Sequence, residues 1–456
     1  MSGDELADAL ALANGHRDGH REGRRDGHRD GHGEGRREDR SPGPDRPDRP
    51  AHRARHHDWP AARAAAARAG AGRRPETAAV PLDAALGHRL AAPLTALTDL
   101  PAFDTSAMDG WAVSGPGPWE LAGPAGGCHG VLAGDDSPSP LPDGHAVRIA
   151  TGARIPPGTT AVLRSEHGEV RDRRLRAPRA PQHGADIRPR GQECGTGDHL
   201  LPGGTPVTPA VLGLAAAAGW DELPVVRRPR AEVLVLGDEL LASGLPEGGR
   251  VRDALGPMVG PWLAALGAEV TATRRLGDDA GALHAALAGT TADLVVTTGG
   301  TAAGPVDHVH PALRRLGAEL LVDGVRVRPG HPMLLARLPA GAHLVGLPGN
   351  PLAAVSGLLT LAEPLLRAAT GAGEPSDGRD GPAPRPPDAP LLGEVHGHPR
   401  DTRLVPVVQD GRGVRPLRFS GPAMLRGIAT ATALAVVPPG GAPTGAGVHL
   451  LRLPWA

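Results

Sequence analysis

Threonines and glycines that could bind an anion follow a short apolar run in the stretch DLVVTTGGTAAGPVD, residues 293–307. The apolar residues at 294–296 are typical of a strand buried on both faces. The loop 297–301 then offers hydroxyl donors, and its glycines let backbone N–H groups approach a ligand closely. Because ligands of open α/β sheets bind outside the carboxyl ends of strands, this loop is the first candidate for a site. Taken alone, the stretch is explained equally well by a plain strand-to-helix turn.

The elements around this loop alternate between strand and helix through the second half of the chain. AEVLVLG and AEVTATRRL predict buried strands, and HLVGLPGNP at 343–351 predicts a strand that ends in a tight turn. Apolar residues at helical spacing separate the strands, and the longest such run is at 351–369. The alternation predicts a doubly wound, mostly parallel sheet over residues 229–371, within an α/β multidomain chain.

The rest of the chain divides into regions of different composition. A glycine about every fourth residue near the N-terminus penalises a helix by roughly 1 kcal/mol per turn, and little there is apolar. Further along, apolar spacing predicts helices at 80–90 and, capped by Thr208, at 209–219. We expect a disordered His/Arg/Asp-rich tail at 1–75, an elongated N-terminal helical and linker domain at 76–100 and 184–228, an inserted small β domain at 101–183, a Pro/Gly linker at 372–390 and a C-terminal β domain at 391–456.

Composition narrows the class of protein. A formal charge of −1 gives no general reason to expect nucleic acid or a membrane surface as partner. The N-terminus lacks the apolar core of a signal peptide, and no run is apolar enough to predict a membrane span. With only two cysteines, neither a disulfide framework nor a cysteine metal site is expected. These features favour a cytoplasmic protein.

Seven segments, in order, resemble one family. LPAFDTSAMDGWAV at 100–113 is similar to the PxFDxSAMDGYA segment of the MoeA-type molybdopterin molybdenumtransferases, which are related to the C-terminal part of gephyrin. RIATGARIPPGTTAV and DIRPRGQE resemble that family's R-I-x-T-G-A-x-x-P and N-I-R-x-x-G-E-D segments. GDEL, the TTGG loop, VRPGHP and GLPGNP follow in the family's order. The resemblance covers residues 76–456.

The resemblance implies an elongated homodimer with four subdomains per chain. It implies a reaction in which adenylylated molybdopterin and molybdate yield molybdenum cofactor and AMP, with a divalent metal such as Mg²⁺. The active site would lie between the doubly wound domain of one subunit and the N-terminal segments of the other. Other proteins of the same pathway are further candidate partners.

The residues suit that chemistry, because a pyrophosphate must be met by backbone N–H groups, cations and a metal. Carboxylates beside such an anion would repel it unless a hard cation lies between them, and oxygen ligands suit Mg²⁺. The expected catalytic residues are Asp109, Thr151, Glu193, Glu239 and Asp307, of which the first three, with Arg188, rest on the resemblance. The expected ligand-binding residues are Arg188, Thr298, Gly299, Gly300, Thr301, Arg328, His331, Pro348, Gly349 and Asn350, and the expected metal ligands are Glu239, Asp279 and Asp307.

Structural roles compete with these functional ones. Glu239 and Asp279 could be carboxylates that begin helices, and Asp307 could be an N-cap. Asp109 could belong to an ordinary Asp-Gly turn. Asn350 is harder to explain structurally, because the chain contains asparagine only here and at Asn14.

The chain departs from the family at several polar positions. The lysines of the family's K-P-G-K-P segment are Arg328 and His331 here, and His331 is mostly neutral at pH 7. A serine after the glycine loop is Ala302, and small polar residues of two other segments are Leu236 and Leu255. Each lost phosphate donor would cost about 1–3 kcal/mol.

Three functions follow from these observations. The first is an active molybdenum insertion enzyme. The second is a catalytically weakened paralogue that holds molybdopterin or serves as a pathway scaffold, which the departures at His331, Ala302 and Leu255 favour. The third is an adenylyltransferase that shares the doubly wound domain, but the segments around Asp109 and Thr151 argue against it.

Overall fold

The computed structural model of the protein describes residues 56–72, 76–122, 130–301, 307–371 and 389–455. Most of the predicted tail, residues 1–55, and most of the predicted linker, 372–388, lie outside the described residues. Ala302 also lies outside them.

The helices and strands have the following bounds. The helices are α1 Trp59–Ala71, α2 Pro209–Ala217, α3 Gly256–Ala265, α4 Ala280–Ala288, α5 Val309–Leu316, α6 Pro351–Gly357, α7 Glu363–Ala369 and α8 Arg426–Thr430, with 3-10 turns at Leu82–Ala84 and Ser165–His167 and a π-helical segment at Leu358–Ala362. The strands of the first half are β1 His57–Asp58, β2 Thr77–Pro81, β3 Arg89–Leu90, β4 Leu94–Thr95, β5 Thr105–Ser106, β6 Gly110–Val113, β7 Trp119–Leu121, β8 His145–Ile149, β9 Ala161–Arg164, β10 Glu169–Arg171, β11 Arg174–Arg176, β12 Ile187–Arg188, β13 His199–Leu201 and β14 Glu222–Val226. Those of the second half are β15 Arg230–Leu236, β16 Leu240–Leu241, β17 Val251–Arg252, β18 Glu269–Leu276, β19 Leu294–Thr298, β20 Glu319–Asp323, β21 Val325–Arg328, β22 Leu334–Arg337, β23 His343–Leu347, β24 Ala389–Pro390, β25 Val395–His396, β26 Thr402–Asp410, β27 Gly413–Pro416, β28 Ala433–Val437, β29 Gly441–Ala442 and β30 Gly447–Arg452.

The predicted doubly wound sheet is confirmed. Its strand order is β18-β15-β19-β23-β22-β20. The first four strands run parallel, and β22 runs antiparallel to both of its neighbours, β23 and β20. Every residue of β19 is buried, which explains why its apolar residues Leu294, Val295 and Val296 are consecutive instead of alternating with polar ones. The carboxyl ends of the four parallel strands therefore meet at one rim of the sheet.

The predicted helix at 351–369 forms, and a π-helical turn interrupts it. Pro364 has no N–H, and the N–H of Glu363 donates to Leu358 O. The carbonyl of Leu359 therefore accepts no backbone hydrogen bond within the helix, as expected where a proline interrupts the backbone hydrogen-bond pattern. By length and composition this helix could span a membrane, but 83% of its most apolar window is buried inside the domain, as in a core helix.

The prediction of a disordered tail up to residue 75 is wrong for residues 56–72. Asp58 caps α1 by accepting from the N–H of Ala61 at 2.8 Å. The indole of Trp59 donates to Thr360 Oγ1 at 3.1 Å, and Arg63 donates to the free carbonyl of Leu359. Trp59 joins the main core of the doubly wound domain. The alanines of α1 allow this helix to pack closely against its neighbour. They give little hydrophobic periodicity, so the sequence alone does not predict a packed helix here.

The predicted helix at 80–90 is also wrong. Residues 77–81 form β2 and pair antiparallel with β14, with Val80 opposite Leu223. The apolar spacing there fits a helix and a short strand equally well, and the pairing with β14 decides in favour of the strand. The helix predicted after Thr208 is confirmed as α2, whose Val211 N–H donates to Thr208 Oγ1.

Two further β modules complete the chain. The predicted small β domain is a six-stranded sheet in the order β10-β11-β7-β8-β6-β9. The predicted C-terminal β domain contains β26, β28 and β30, and β21 joins its sheet by parallel pairing with β26. The residues of β21 therefore belong to the C-terminal sheet, although the sequence places them inside the doubly wound domain.

Candidate active site

A cavity of about 360 Å³ opens at the carboxyl rim of the doubly wound sheet. Loops after β15, β18, β19 and β23 surround it, as expected for an open α/β sheet. Its lining residues include Glu239, Asp279, Gly299, Gly300, Thr301, Asp307, Pro348, Gly349 and Asn350. Most of the residues predicted for this half of the site therefore meet in one place.

The glycine loop after β19 forms only part of the predicted cradle. Gly299 and Gly300 have φ of +83° and +66°, which disfavour residues with a Cβ. The N–H of Gly299 donates to Leu347 O at 2.8 Å, so it is committed to the neighbouring loop. The side chain of Thr298 is buried in the strand and does not line the cavity, whereas Gly300 and Thr301 do.

The loop after β23 packs directly beside this glycine loop. A Cβ on Gly349 would lie 3.7 Å from Gly299 Cα, and one on Gly346 would lie 2.8 Å from the methyl group of Thr301. Gly346, which lies within β23, therefore has no room for a side chain, whereas a Cβ at position 349 would make ordinary van der Waals contact. Asn350 caps α6 through its backbone carbonyl, which accepts from Ala354 N–H at 2.8 Å. Its side-chain amide makes no capping hydrogen bond and lines the cavity.

The three predicted carboxylates line the cavity in different ways. Asp279 is the N-cap of α4, and its Oδ1 accepts from the N–H groups of Gly281 and Ala282 at 2.7 and 3.1 Å. Glu239 does not begin a helix, because β16 follows it. Asp307 is not the N-cap of α5, since that position is His308. A structural role at the start of a helix therefore explains one oxygen of Asp279, but it does not explain Glu239 or Asp307.

The carboxylates do not by themselves form a metal cage. Within the described ranges, no group of three or more His, Cys, Asp or Glu side chains is placed to hold a metal ion. The available oxygens are of the kind that Mg²⁺ prefers, and Mg²⁺ usually keeps waters and binds substrate phosphates. The residues therefore fit a cation shared with a phosphate ligand, and the predicted three-carboxylate site is not preassembled.

Arg328 and His331, which were both expected to bind the ligand, do not line the rim cavity. Arg328 Nε donates to Asp401 Oδ2 of the C-terminal domain at 2.8 Å. His331 Nδ1 donates to Val325 O at 2.7 Å, and its ring lies 4.6 Å from that of His56. Burial raises the pKa of Asp401, but the bond from Arg328 and the nearby His398 lower it overall. In this turn, Pro332 lines the cavity instead.

A second group of predicted residues lies together in the N-terminal half. The backbone N–H of Thr151 donates to Asp109 Oδ1 at 2.7 Å. This bond, and a second from the Thr151 side chain, lower the pKa of Asp109. Both residues are exposed, and neither lines the rim cavity. Asp109 is therefore held in place as an ionised carboxylate by more than a simple Asp-Gly turn.

Arg188 and Glu193 belong to the same surface. In β12, Arg188 pairs with Thr105 of β5, in the segment that leads to Asp109. The N–H of Glu193 donates to Leu100 O at 2.9 Å. Both side chains are exposed. Strand pairing thus joins the segments at 100–113 and 186–193 into one face that carries Asp109, Thr151, Arg188 and Glu193.

Asp99 anchors the loop that carries Glu193. Its carboxylate accepts from the backbone N–H and hydroxyl of Thr196 at 2.7 and 2.9 Å, and from Arg190. These bonds, that of the Thr196 backbone first, lower the pKa of Asp99 to about 2. Asp99 was not predicted as part of the site, because a single aspartate before a loop gives no specific signal.

The rim cavity also contains residues that the prediction omitted. They are Leu236, Gly237, Gly277, Asp278, Leu283, His308 and Pro332. Asp278 and His308 adjoin predicted residues and could have been found from position alone. Gly237 is explained only by the structure, because a Cβ there would lie 2.3 Å from the Glu239 carboxylate.

The two leucines that replace small polar residues have different surroundings. Leu255 is buried in the main core of the doubly wound domain. Asp253 accepts from the N–H groups of Leu255 and Gly256 at 2.9 and 2.8 Å and takes over the capping of α3. Leu236 lines the cavity and presents an apolar surface to its contents.

Family models match three successive parts of the chain. Residues 58–219 match the MoeA N-terminal region, described as domains I and II. Residues 232–368 match a probable molybdopterin binding domain, and residues 388–453 match the MoeA C-terminal region, domain IV. The first match begins at Asp58, the N-cap of α1, in agreement with the folded state of that helix.

Two curated relatives extend this comparison to whole proteins. Molybdopterin molybdenumtransferase 2 of Mycobacterium tuberculosis is 37% identical over 312 residues, which cover 65% of this chain and 76% of the relative. Molybdopterin molybdenumtransferase of Staphylococcus aureus is 32% identical over 302 residues, which cover 64% of this chain and 71% of the relative.

Solved structures show the same fold. A molybdopterin biosynthesis MoeA protein from Pyrococcus horikoshii covers 88% of this chain and 99% of its own, with 23% identity and a TM-score of 0.67. A molybdenum cofactor biosynthesis protein from Pyrococcus furiosus covers 87% of this chain and 99% of its own, with 16% identity and a TM-score of 0.51. From the ordered family models and the extent of the curated matches, the chain belongs to the MoeA family of molybdopterin molybdenumtransferases.

Proposed function

We propose that the protein inserts molybdate into adenylylated molybdopterin and releases AMP and molybdenum cofactor. The observation that carries the proposal is the rim cavity, where two glycine-containing loops and the four carboxylates of Glu239, Asp278, Asp279 and Asp307 converge in a chain of this family. Such a cavity suits a ligand that is both anionic and bound with a cation. The reaction is that of a transferase in molybdenum cofactor biosynthesis, and we place it in the cytoplasm.

The residues of the rim would bind and orient the pyrophosphate linkage. Gly300 and Thr301 provide the closest backbone and hydroxyl groups, and Asn350 offers an uncommitted amide. Bound Mg²⁺ would neutralise phosphate charge, with Glu239, Asp307 and the second oxygen of Asp279 as the residues that would hold it. Leu236 lines the cavity with an apolar side chain, which offers a ligand no hydrogen bond.

We propose that the site is completed by a second subunit. Asp109, Thr151, Arg188 and Glu193 form an exposed face that is absent from the lining of the rim cavity. An exposed carboxylate that hydrogen bonds hold in place suits contact with a substrate held by another chain. A homodimer would place this face of one subunit against the rim cavity of the other.

The test is to incubate purified protein with adenylylated molybdopterin, Mg²⁺ and molybdate, and to follow AMP release. The expected result is AMP release that depends on molybdate, and its loss in Asp307→Ala with the fold intact. Asp83→Ala is a matched control, because Asp83 is exposed on a 3-10 turn and does not line the cavity. Tight pterin binding without AMP above background would instead support a weakened, pterin-holding paralogue.

The departure at His331 bears less on activity than the sequence indicates. His331 and Arg328 hold the junction with the C-terminal domain through Val325 and Asp401. The loss of a lysine there therefore changes a contact between domains in this structure, and the rim cavity keeps its loops and carboxylates. No observation favours the paralogue over the enzyme.

A further inference from the structure

A second cavity, of about 690 Å³, lies near the amino end of β15, at the opposite end of the sheet from the rim. We call it the arginine cleft. The N-terminal β2-β14-β3 module, the helices α1, α3 and α7, and strand β30 contribute its walls. It shares no lining residue with the candidate active site.

The lining of the arginine cleft carries an excess of positive charge. Its arginines are Arg63, Arg89, Arg228, Arg367 and Arg452. Among the described residues that line it, Glu363 is the one acidic side chain. A cavity with this imbalance attracts anions, because low-dielectric walls strengthen the field of the charges.

Arg63 and Arg367 both pair with the carboxylate of Glu363. Arg63 lies 3.3 Å from Glu363 Oε2, and Arg367 Nε donates to Oε1 at 3.1 Å. The side chain of Glu363 is only 9% exposed, and those of Arg63 and Arg367 are 18% and 32% exposed. One carboxylate thus faces two partly buried guanidinium groups, which leaves net positive charge.

Arg89 adds a third positive charge beside this pair. Burial lowers the pKa of Arg89, and the nearby Arg367 lowers it further. A neighbour of like charge is unfavourable unless an anion lies close to both. Arg89 uses one nitrogen to donate to Gly204 O at 2.8 Å, and a guanidinium has further donors to offer.

The arginines have different structural roles. Arg228 is structural, because its NH2 group donates to the carbonyls of Ala264 and Ala268 at the end of α3. The side chain of Arg452 makes no hydrogen bond or ion pair with the residues that the structure describes, and this residue is exposed and lines the cleft. Helix capping therefore accounts for Arg228 but not for Arg89 and Arg452.

The remaining walls of the cleft are largely apolar. Ala67, Val226, Leu266, Leu450 and Leu453 line it. Its volume falls in the range of about 300–1,000 Å³ that is typical of sites for small organic ligands. Arginine is the side chain best suited to grip phosphate oxygens by paired hydrogen bonds.

We propose that the arginine cleft binds a phosphorylated small molecule, with its phosphate held by the arginines and its organic part against the apolar wall. This proposal does not depend on the proposed function, since the two cavities are separate. Arg89 and Arg452 would contact the phosphate, and Glu363 would oppose it.

The test is isothermal titration calorimetry of the full-length protein with phenyl phosphate and with inorganic phosphate. We expect saturable binding of both and tighter binding of phenyl phosphate, whose ring can contact the apolar wall. Arg89→Gln and Arg452→Gln should each weaken binding by about tenfold, as for one lost charge-assisted hydrogen bond. Arg171→Gln is the matched control, because Arg171 is an exposed arginine outside both cavities, and it should bind as the wild type does.

Glu363→Gln gives the sharper result, since removal of the opposing carboxylate should tighten binding. A structural role for the arginines alone would not produce that gain. Thermal unfolding of each variant checks folding, and Arg452→Gln is the substitution least able to disturb it. Wild-type affinity in both arginine variants, absence of binding by the wild type, or unchanged affinity in a folded Glu363→Gln variant would overturn the proposal.

Discussion

Asp109 illustrates how one side chain can be fixed by structure and remain available for chemistry. Thr151 occupies its Oδ1, and the carboxylate is exposed on the other side. The hydrogen bonds from Thr151 lower its pKa, so the group stays ionised below the ordinary aspartate value of about 3.9. A fixed negative charge of this kind can orient a substrate or accept a hydrogen bond.

The first prediction concerns Asp109→Ala. We expect AMP release to fall by at least about tenfold, as when one charge-assisted contact to substrate is lost, while the unfolding temperature changes little. Asp83→Ala provides a control, because Asp83 lies on an exposed 3-10 turn outside both proposed faces. Equal rates for wild type and Asp109→Ala would remove Asp109 from the site.

The second prediction concerns Asp99 and pH. Its pKa of about 2 lies below the unfolded value of about 3.9, so its stabilising effect is present above about pH 4 and is lost as pH falls towards 2. Amide hydrogen exchange at Thr196 should therefore accelerate over that range in the wild type. In Asp99→Asn the acceleration should be present at neutral pH and should not depend on pH through this window once intrinsic exchange is corrected. Strong protection of Thr196 in the variant at pH 7 would contradict this account.

Sequence reasoning at the residue scale found positions more reliably than orientations. Spacing placed Glu239, Asp279 and Asp307 correctly after strands that end at one rim. It did not indicate that Arg328 contacts the C-terminal domain. Strand β21 pairs with β26 of that domain, and Arg328 Nε donates to Asp401. That pairing joins residues 327 and 328 to residues 402 and 403, and no local pattern indicates such a distant partner.

At the scale of elements, α1 and the long helix at 351–369 stabilise each other. Pro364 leaves the carbonyl of Leu359 without a helical donor, and Arg63 of α1 supplies one. The indole of Trp59 adds a hydrogen bond to Thr360 in the same segment. A buried carbonyl without a donor is costly, so the π-helical turn and α1 depend on one another.

The third prediction follows from this dependence. Trp59→Ala should lower the free energy of unfolding by about 3–5 kcal/mol, the usual cost of deleting a buried tryptophan. Leu245→Ala, at a residue that is 86% exposed, should change it by less than about 0.5 kcal/mol. Chemical denaturation with fluorescence and circular dichroism measures both. An unchanged stability in Trp59→Ala would show that α1 is dispensable.

Deletion of residues 1–72 extends the same test to the whole helix. From the sequence alone, deletion of residues 1–74 should change neither stability nor turnover. Because α1 contributes Trp59, Ala62 and Ala66 to the core, we now expect deletion through residue 72 to lower the unfolding temperature strongly. Calorimetry of a chain that begins at Ala54 provides the matched comparison.

Helices and strands could be predicted from the sequence where the hydrophobic pattern fitted only one type of element. The parallel strands, α2 and the long apolar helix have lengths and compositions that exclude the alternative. The stretch at 80–90 had two solutions, and pairing with β14 selected the strand. Helix α1 was missed because alanine contributes to a core mainly by allowing close approach, which hydrophobic spacing does not record.

At the scale of the whole molecule, most of the predicted site residues fall into two separate groups, and Thr298, Arg328 and His331 belong to neither. One lines the rim cavity, and the other lies on the exposed face of Asp109, Thr151, Arg188 and Glu193. The sequence could not show this separation, since it depends on how the β modules are placed around the doubly wound domain. A second copy of the chain is the simplest way to bring the two groups to one substrate.

Mixed dimers test this arrangement. Asp109→Ala and Asp307→Ala should each keep at most about a tenth of the wild-type activity alone, because every site in either homodimer lacks one group. In a dimer with one subunit of each kind, one site carries both substitutions and the other carries neither. Co-expression should therefore restore roughly a quarter of wild-type AMP release, since about half of randomly formed dimers are mixed and each has one intact site.

Different affinity tags on the two variants allow the mixed dimers to be purified and assayed directly. Those dimers should reach roughly half of the wild-type rate per subunit pair, since one of their two sites is intact. A control with Asp307→Ala in both differently tagged chains should stay inactive. If the purified mixed dimers are also inactive, both groups must act from the same subunit, and the arrangement across two subunits is wrong.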